Sequence, residues 1–547
     1  MLWLIYSTLG YAQEPAPETT EETETSAPDT TETTEGDTTN TSETETTDTN
    51  SVESTEVPVP ETTPPKNTET TEANTSTPEN TQEDTVVIED PIIITTPGTL
   101  RLQATYRPGF VVDFEGRSLN AGWTFDSRLR TGFDIIQKDW KFIINGDLAS
   151  GQFAGTPWNL DGTEHRYHPE RIGILNPENN VLRNAYLSTK IGKVGILTGV
   201  MTSHWGLGIV SNDGAHEQEF GRSDYGDRML RTALYTKVSN AIITVAGDVV
   251  LEDDIGGDSD EFRSYQALTS VRIPFSKTDQ IGILGLYRNQ TEISNQHSLK
   301  GFFLDVYGMF SKNIGALNFY AQAEAAYLHG TTNLISNRNH PEGLSVRSFG
   351  SAFRLGAEHT TLGKLGVNGG FASGDSDPSD GTYSTFTFDR DHNAGSLLFD
   401  VHQAAREVAE HNLLTDPEHA GQPPDGVDAL VSEGAIRQTL YIQPHLQYNI
   451  MPNLNLKLGS VFAWSTTTIQ SPFVSYRNGG VALNYLGQST EGYMLGTELN
   501  WRATCIRSLK EKTSLSLYIE GAHLLPSANL GIESTLSLVR IQSLLSW

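Results

Sequence analysis

From Leu100 onward, apolar and polar side chains take alternate positions in segments of roughly ten residues, the length of a strand tilted across a bilayer. Leu100, Leu102, Ala104 and Tyr106 interleave with Arg101, Gln103, Thr105 and Arg107. Phe125, Leu129, Phe133 and Ile135 interleave with Asp126, Arg128, Arg130 and Asp134. The same period-two pattern runs through 317–327, 453–458, 493–502 and 514–520. Eighteen such segments can be counted, starting near residues 98, 122, 140, 181, 194, 228, 241, 264, 279, 301, 315, 348, 364, 435, 453, 492, 512 and 536.

The connections alternate as well. Short turns fall at 137–139, 192–193, 239–240, 275–278, 311–314, 361–363, 451–452 and 503–511, and the largest intervening connections are 151–180, 202–227, 329–347, 375–434 and 466–491. Short turns at one end and long loops at the other are the mark of an outer-membrane barrel. Hydrocarbon offers a backbone amide no partner, so a non-helical span must close on itself and pair every strand. The pattern therefore predicts an all-β fold, a transmembrane antiparallel β-barrel of about 18 strands over residues 98–547. An even count with the odd-numbered connections long places both termini in the periplasm. A soluble sandwich or solenoid also alternates, but soluble sheets rarely present so many lipid-compatible faces.

One segment breaks the rule. Within 396–414, Leu397, Val401, Ala404, Ala405 and Val408 recur at helical spacing and predict a short helix inside the longest loop, 375–434. It belongs either in the mouth as a constriction or on the outer rim.

Charge adds a second region. The 547 residues carry 37 Lys plus Arg against 68 Asp plus Glu, a formal net charge of −31 that argues against nucleic acid as a partner. Much of it lies in 14–90, where 22 acidic residues and 25 threonines accompany a single basic residue, Lys66. Such a stretch buries too little apolar surface to offset ordering entropy, so 13–97 is expected to be a disordered acidic Thr/Glu/Pro-rich tail. Ahead of it, residues 1–12 are apolar with Gly10 and Ala12 at small-residue cleavage positions, and read as a signal peptide, shortened because the usual basic region is missing. No cysteine follows to carry a lipid. Cys505 is the sole cysteine, which excludes an intrachain disulfide, and no apolar run reaches the ~18 residues of a membrane-spanning helix.

The stretch from Glu178 to Gly214, including Ser203-His204-Trp205-Gly206-Leu207-Gly208, resembles a family of uncharacterised outer-membrane barrel proteins of myxobacteria and their relatives. So does Thr385-Phe-Thr-Phe-Asp-Arg-Asp-His-Asn393 with Leu397-Leu-Phe-Asp400, which is also similar, more faintly, to a loop of alginate-export porins. The resemblance implies a barrel over 98–547 and a low-complexity N-terminal region, and assigns no chemistry to any residue.

Alternation places Arg128, Arg130, Arg231, Glu324, Arg354, Glu358, Glu498 and Arg502 on the polar face, as candidates to line a pore. Mixed signs there would set a transverse field across the lumen. The alternative is a lumen filled by internal ion pairs. Ser203, His204 and Asp213 invite comparison with an outer-membrane hydrolase, but a triad is defined by geometry rather than adjacency. A glycine-rich strand end with an interfacial tryptophan is by far the plainer reading. The acidic loops 252–261 and 374–381 supply oxygen ligands of the kind calcium takes, without EF-hand spacing. Solvated loop tips are the plainer reading. No cofactor is called for.

Together these features lead to the expectation of a porin-like channel rather than an enzyme, passing small polar solutes or saccharides. Its expected partners are outer-membrane lipid, lipopolysaccharide and, through the aromatic end at Trp547, the barrel assembly machinery. A structural or adhesin-type barrel with a periplasmic tether is the alternative, and an outer-membrane hydrolase is the third.

Overall fold

The computed structural model describes residues 91–547, apart from 113–115, 157–179, 217, 224–225, 252–261, 294–296, 421–431, 433, 480, 482, 486, 490–491, 511 and 531–533. Residues 1–12, where a signal peptide is expected, nearly all of the expected tail and the acidic loop 252–261 lie outside the described residues.

Eighteen long strands form the wall: β1 Gly98–Arg107, β2 Gly122–Gln137, β3 Trp140–Gly155, β4 Leu182–Ile191, β5 Val194–Thr202, β6 Arg228–Val238, β7 Ala241–Val250, β8 Phe262–Pro274 and β9 Gln280–Glu292, followed by β10 Ser298–Ile314, β11 Leu317–Thr332, β12 Leu344–His359, β13 Gly363–Ala372, β14 Thr439–Met451, β15 Leu454–Ser465, β16 Met494–Lys510, β17 Thr513–Pro526 and β18 Leu536–Ser546. Each begins within a few residues of the start expected from the alternation. Consecutive strands pair antiparallel, and β1 closes the ring on β18 from Thr99–Ser546 to Tyr106–Val539. The seam is completed by backbone bonds between Gly98 and Trp547, 3.1 and 3.0 Å. Ahead of β1, Ile93–Thr95 already pairs with Asp134, Ile135 and Ile136 of β2, so the wall begins before residue 97, inside the segment that composition assigns to the tail.

The distribution of side chains is the inverse of a water-soluble protein. Leu102, Leu234, Val245, Ile283, Val306, Leu446, Leu517 and Ile541 stand exposed on the outside, whereas Gln103, Asp126, Asp248, Asp305, Glu324, Glu498, Glu520 and Arg540 are buried within. So continuous an apolar outer face is stable only against lipid. Aromatic rings gather where the wall meets the long loops, as in Tyr106, Trp123 and Phe125, whose neighbouring centroids lie 5.6 and 6.5 Å apart. No helix among the described residues is long and apolar enough to cross a membrane.

At the long-loop end the alternation blurs. Leu284, Leu286, Phe303, Leu328 and Val346 face inward, where they pack with Trp205 and Val210 of the 203–227 connection. A second apolar group joins the 373–438 connection, through Phe388, Leu397, Leu398 and Ala405, to Ala352, Tyr441, Val461 and Leu524 of the wall. Two loops thus turn into the barrel. The segment with helical spacing forms a π-helical turn, Leu398–Gln403, running into helix α1, Ala404–Thr415.

Candidate functional site

The site is the lumen where these two loops meet the inner wall. The 203–227 connection leaves β5 through a tight turn. Gly206 and Gly208 have φ of +58° and +80°, values that let the backbone reverse and aim the Leu207 N–H at the Glu324 carboxylate. A β-carbon at Gly206 would collide with that same carboxylate. Trp205 Nε1 donates to Asp305 at 2.8 Å. Farther on, Glu219 accepts from Lys457 Nζ at 2.7 Å and from Lys364 Nζ, with His445 Nε2 at 3.6 Å. Phe220 is fully buried beside it, beneath Lys457 and Arg502.

The 373–438 connection is clasped to the first loop and to the wall. The Asn212 N–H donates to Asp389 at 3.0 Å and to Asp227 at 3.3 Å. His392 bonds the Leu207 carbonyl at 3.1 Å and the Tyr441 hydroxyl at 3.0 Å. Gln218 spans both sides, donating to the Asp391 carbonyl at 3.0 Å and accepting from Arg354 at 3.2 Å. Glu498 accepts from three successive backbone N–H groups, Ser396, Leu397 and Leu398, at 2.6, 3.1 and 2.7 Å.

The eight residues picked from alternation fall into three groups. Arg130, Arg231 and Arg502 are held by carboxylates of the next strand: Arg130 forks onto Asp147 at 2.6 and 2.9 Å, Arg231 onto Asp248 at 2.7 and 2.8 Å, and Arg502 Nε meets Glu520 at 2.6 Å. Glu324 and Glu498 are taken up by loop backbone. Arg128, Arg354 and Glu358 are half-buried or exposed on the inner wall. Arg128 lies opposite Arg101 in the β1–β2 register and belongs to the positive set around Asp147, together with Arg130 and Arg183. Residues that the pattern did not single out complete the site: Asp147, Asp248, Glu520 and Arg540 from the wall, and Glu219, Asp389 and Asp391 from the loops. The wall residues share the inward parity that selected the eight, whereas the loop residues carry no local signal.

Of the candidate hydrolase residues, Ser203 Oγ accepts from Arg231 at 3.4 Å, and His204 instead faces Asp213 and His216. In the loop 374–381 the carboxylates of Asp375, Asp377 and Asp380 each cap backbone N–H groups of their own turn.

The contact between Asp227 and Asp389 titrates. Burial, reinforced by Asp391, pushes Asp227 up to about 6 against the opposing pull of Arg288, and burial together with Asp227 and Asp391 holds Asp389 well above the usual range. Both groups favour the protonated form in the folded loop. Each contribution is present in full below the unfolded carboxylate value; that of Asp227 is lost as pH rises through about 6, and that of Asp389 as pH rises through its own raised value. Amide exchange around Asn212 and Asp389, corrected for its intrinsic pH dependence, is expected to quicken several-fold between pH 5 and pH 8. In Asp389→Asn, which is neutral at that position, the dependence should shrink to the part that Asp227 contributes through its own burial. A wild-type protein with pH-independent protection at these amides would contradict the assignment.

No family model matches the chain, and no curated protein matches it. Among solved structures, the chain is similar to the outer membrane protein OprD from Pseudomonas aeruginosa (9% identity, 83% of this chain and 94% of that one, TM-score 0.46). It is also similar to a BenF-like porin from Pseudomonas fluorescens Pf-5 (12%, 83% and 98%, 0.46) and to Pseudomonas aeruginosa OccK2 in complex with glucuronate (9%, 83% and 97%, 0.43). Likenesses this distant carry no argument about function, and the barrel rests on its own strand pairing.

Proposed function

We propose that the chain is a porin-like channel of the bacterial outer membrane, through which small polar solutes, saccharides included, pass across a lumen narrowed by the 203–227 and 373–438 loops. The observation that carries this reading is the combination of an apolar outer wall with a charged inner wall. A cylinder of eighteen strands is wide enough to hold an aqueous path that loops can narrow. The tail and both termini are assigned to the periplasmic side with the short turns, and the inward loops to the external side.

The charges are not spread evenly around the ring. On β16, β18, β1 and β2, Arg101 and Arg128 face each other, Arg502 and Arg540 share the single carboxylate of Glu520, and Arg130 is matched by Asp147, which leaves arginine in excess, whereas the adjoining carboxyls Asp305 and Glu324 come from β10 and β11, about half a turn of strands away. That separation supports a transverse field across the lumen, which orients solutes bearing a dipole or a negative group toward the arginine side.

The test is single-channel recording of purified, folded protein in planar bilayers. Discrete conductance steps are expected, together with a reversal potential under a salt gradient that moves toward cation preference in Arg128→Glu. Folded protein that passes no current sinks the channel reading.

A further inference from the structure

We propose that His204, Asp213 and His216 bind one divalent transition-metal ion, of the zinc class, where the 203–227 loop enters the barrel mouth. The proposal rests on the donor set alone and stands whether or not the lumen conducts.

Two imidazoles and one carboxylate form a borderline donor set, suited to zinc, nickel or copper rather than to calcium or magnesium. His216 Nδ1 lies 2.8 Å from Asp213 Oδ1 and His204 Nδ1 lies 3.9 Å from it, and all three donor atoms fall within 4.8 Å of one another. A tetrahedral zinc ion with bonds of about 2.0–2.1 Å sets its ligands roughly 3.3 Å apart. Two of the observed separations bracket that value and the third lies within 4.8 Å, so closing the site takes small shifts of the donor atoms together with a turn of one imidazole that brings both in-plane lone pairs onto the ion.

The second observation is at His204. Its Nδ1 is buried and makes no hydrogen bond, an arrangement that costs free energy unless something fills it. The two rings stack at 3.7 Å between centroids and 15° between planes, so both imidazoles lie beside the same carboxylate, and the half-exposed His216 is the ring free to turn out of the stack onto a shared ion.

The scaffold is fixed independently of the ligands. The Ala215 N–H donates to Asp213 Oδ1 at 3.0 Å, Arg183 of β4 holds the Asp213 carbonyl, and the Trp205 N–H closes the intervening turn onto the Ser211 carbonyl at 3.0 Å. His204 follows the end of β5 directly, so one ligand is anchored on the wall and two on the loop. The His216 side chain is about half exposed, which leaves the fourth coordination position open to water.

The experiment is titration of tag-free full-length protein, refolded in detergent, with zinc against a chromophoric chelator, and with cobalt for its visible absorption. The expected result is one tight zinc per chain and a tetrahedral cobalt spectrum, with affinity about 100-fold weaker in His216→Ala and in His204→Ala. His329→Ala, on the outer wall, should bind as wild type does. The half-exposed His216 can be removed without disturbing the barrel, and heat-dependent mobility on gels confirms that each variant is folded. Zinc bound equally well by wild type and both histidine variants, or bound by none of them except weakly at many sites, overturns the proposal.

Discussion

Replacing Glu498 by alanine is expected to release the 373–438 loop and raise single-channel conductance several-fold. The reason lies at the start of the π-turn and helix. The first N–H groups of any helix lack intrahelical partners, and here the capping position is Leu397, whose side chain cannot accept a hydrogen bond. Glu498, a fully buried residue of β16, supplies the cap from the wall by accepting from Ser396, Leu397 and Leu398. Its negative charge also faces the positive end of the helix dipole. Removing it leaves three buried donors unsatisfied at roughly 1–3 kcal/mol each, which exceeds what most single contacts contribute. Ser396 keeps its bond to Glu520 at 2.7 Å, so the loop should loosen at its helical start while the barrel stays closed. Glu498→Gln retains one acceptor and is expected to fall between the two. Hydrogen exchange at 396–404 reads the effect without reference to current. Unchanged protection in Glu498→Ala would show that apolar packing alone holds the loop.

The wall that this loop leans on was legible from residue order because lipid outside demands an apolar side chain at every second position. That demand is local, so Leu100 to Tyr106 and Leu515 to Ile519 announce themselves without reference to any other part of the chain. It weakens where the inside is also apolar. Leu284 and Leu286 sit on the inner face next to the outward Ile283 and Tyr287, so the period is lost in the strand that receives Trp205. The loop helix was legible for the same local reason. What the loops do was not. Asn212 and Asp389 are 177 residues apart, and Glu219 reaches partners 145 and 238 residues away, distances over which residue order carries no geometric information. The turn at Gly206 and Gly208 was the one readable hint that the 203–227 connection doubles back. Parity selected Arg130, Arg231 and Arg502 as inward-facing, yet it could not tell a free lumen charge from one paired to the next strand.

Glu219→Gln should produce the second-largest change, with a signature that distinguishes it from Glu498→Ala. Glu219 is the shared counter-ion of Lys364 and Lys457, both near the short-turn end of the barrel, so the loop that enters at the far end is tied down deep inside. Burial by itself would raise this carboxyl, but Lys457, Lys364 and His445 together hold it well below the usual carboxylate range. A depressed group gives its stabilisation above the unfolded value and loses it only as pH falls through the folded one, so this anchor should hold unchanged from pH 8 down to pH 4. The Asp227 and Asp389 contact changes over the same interval. Neutralising Glu219 leaves two ammonium groups with no shared partner, and breaking one member of a buried pair costs about 3–5 kcal/mol, less here because the lysines keep some water. Phe220, wedged beneath Lys457 and Arg502, should lose its seat with it. The lumen then gains one net positive charge and both ammonium groups lose their counter-ion, so the reversal potential under a salt gradient should move toward anion preference at every pH tested. Glu498→Ala widens the path without freeing lysines and should leave that preference nearly unchanged. If Glu219→Gln conducts with wild-type selectivity, Lys364 and Lys457 do not face the path, and the lower constriction must be sought elsewhere on the wall.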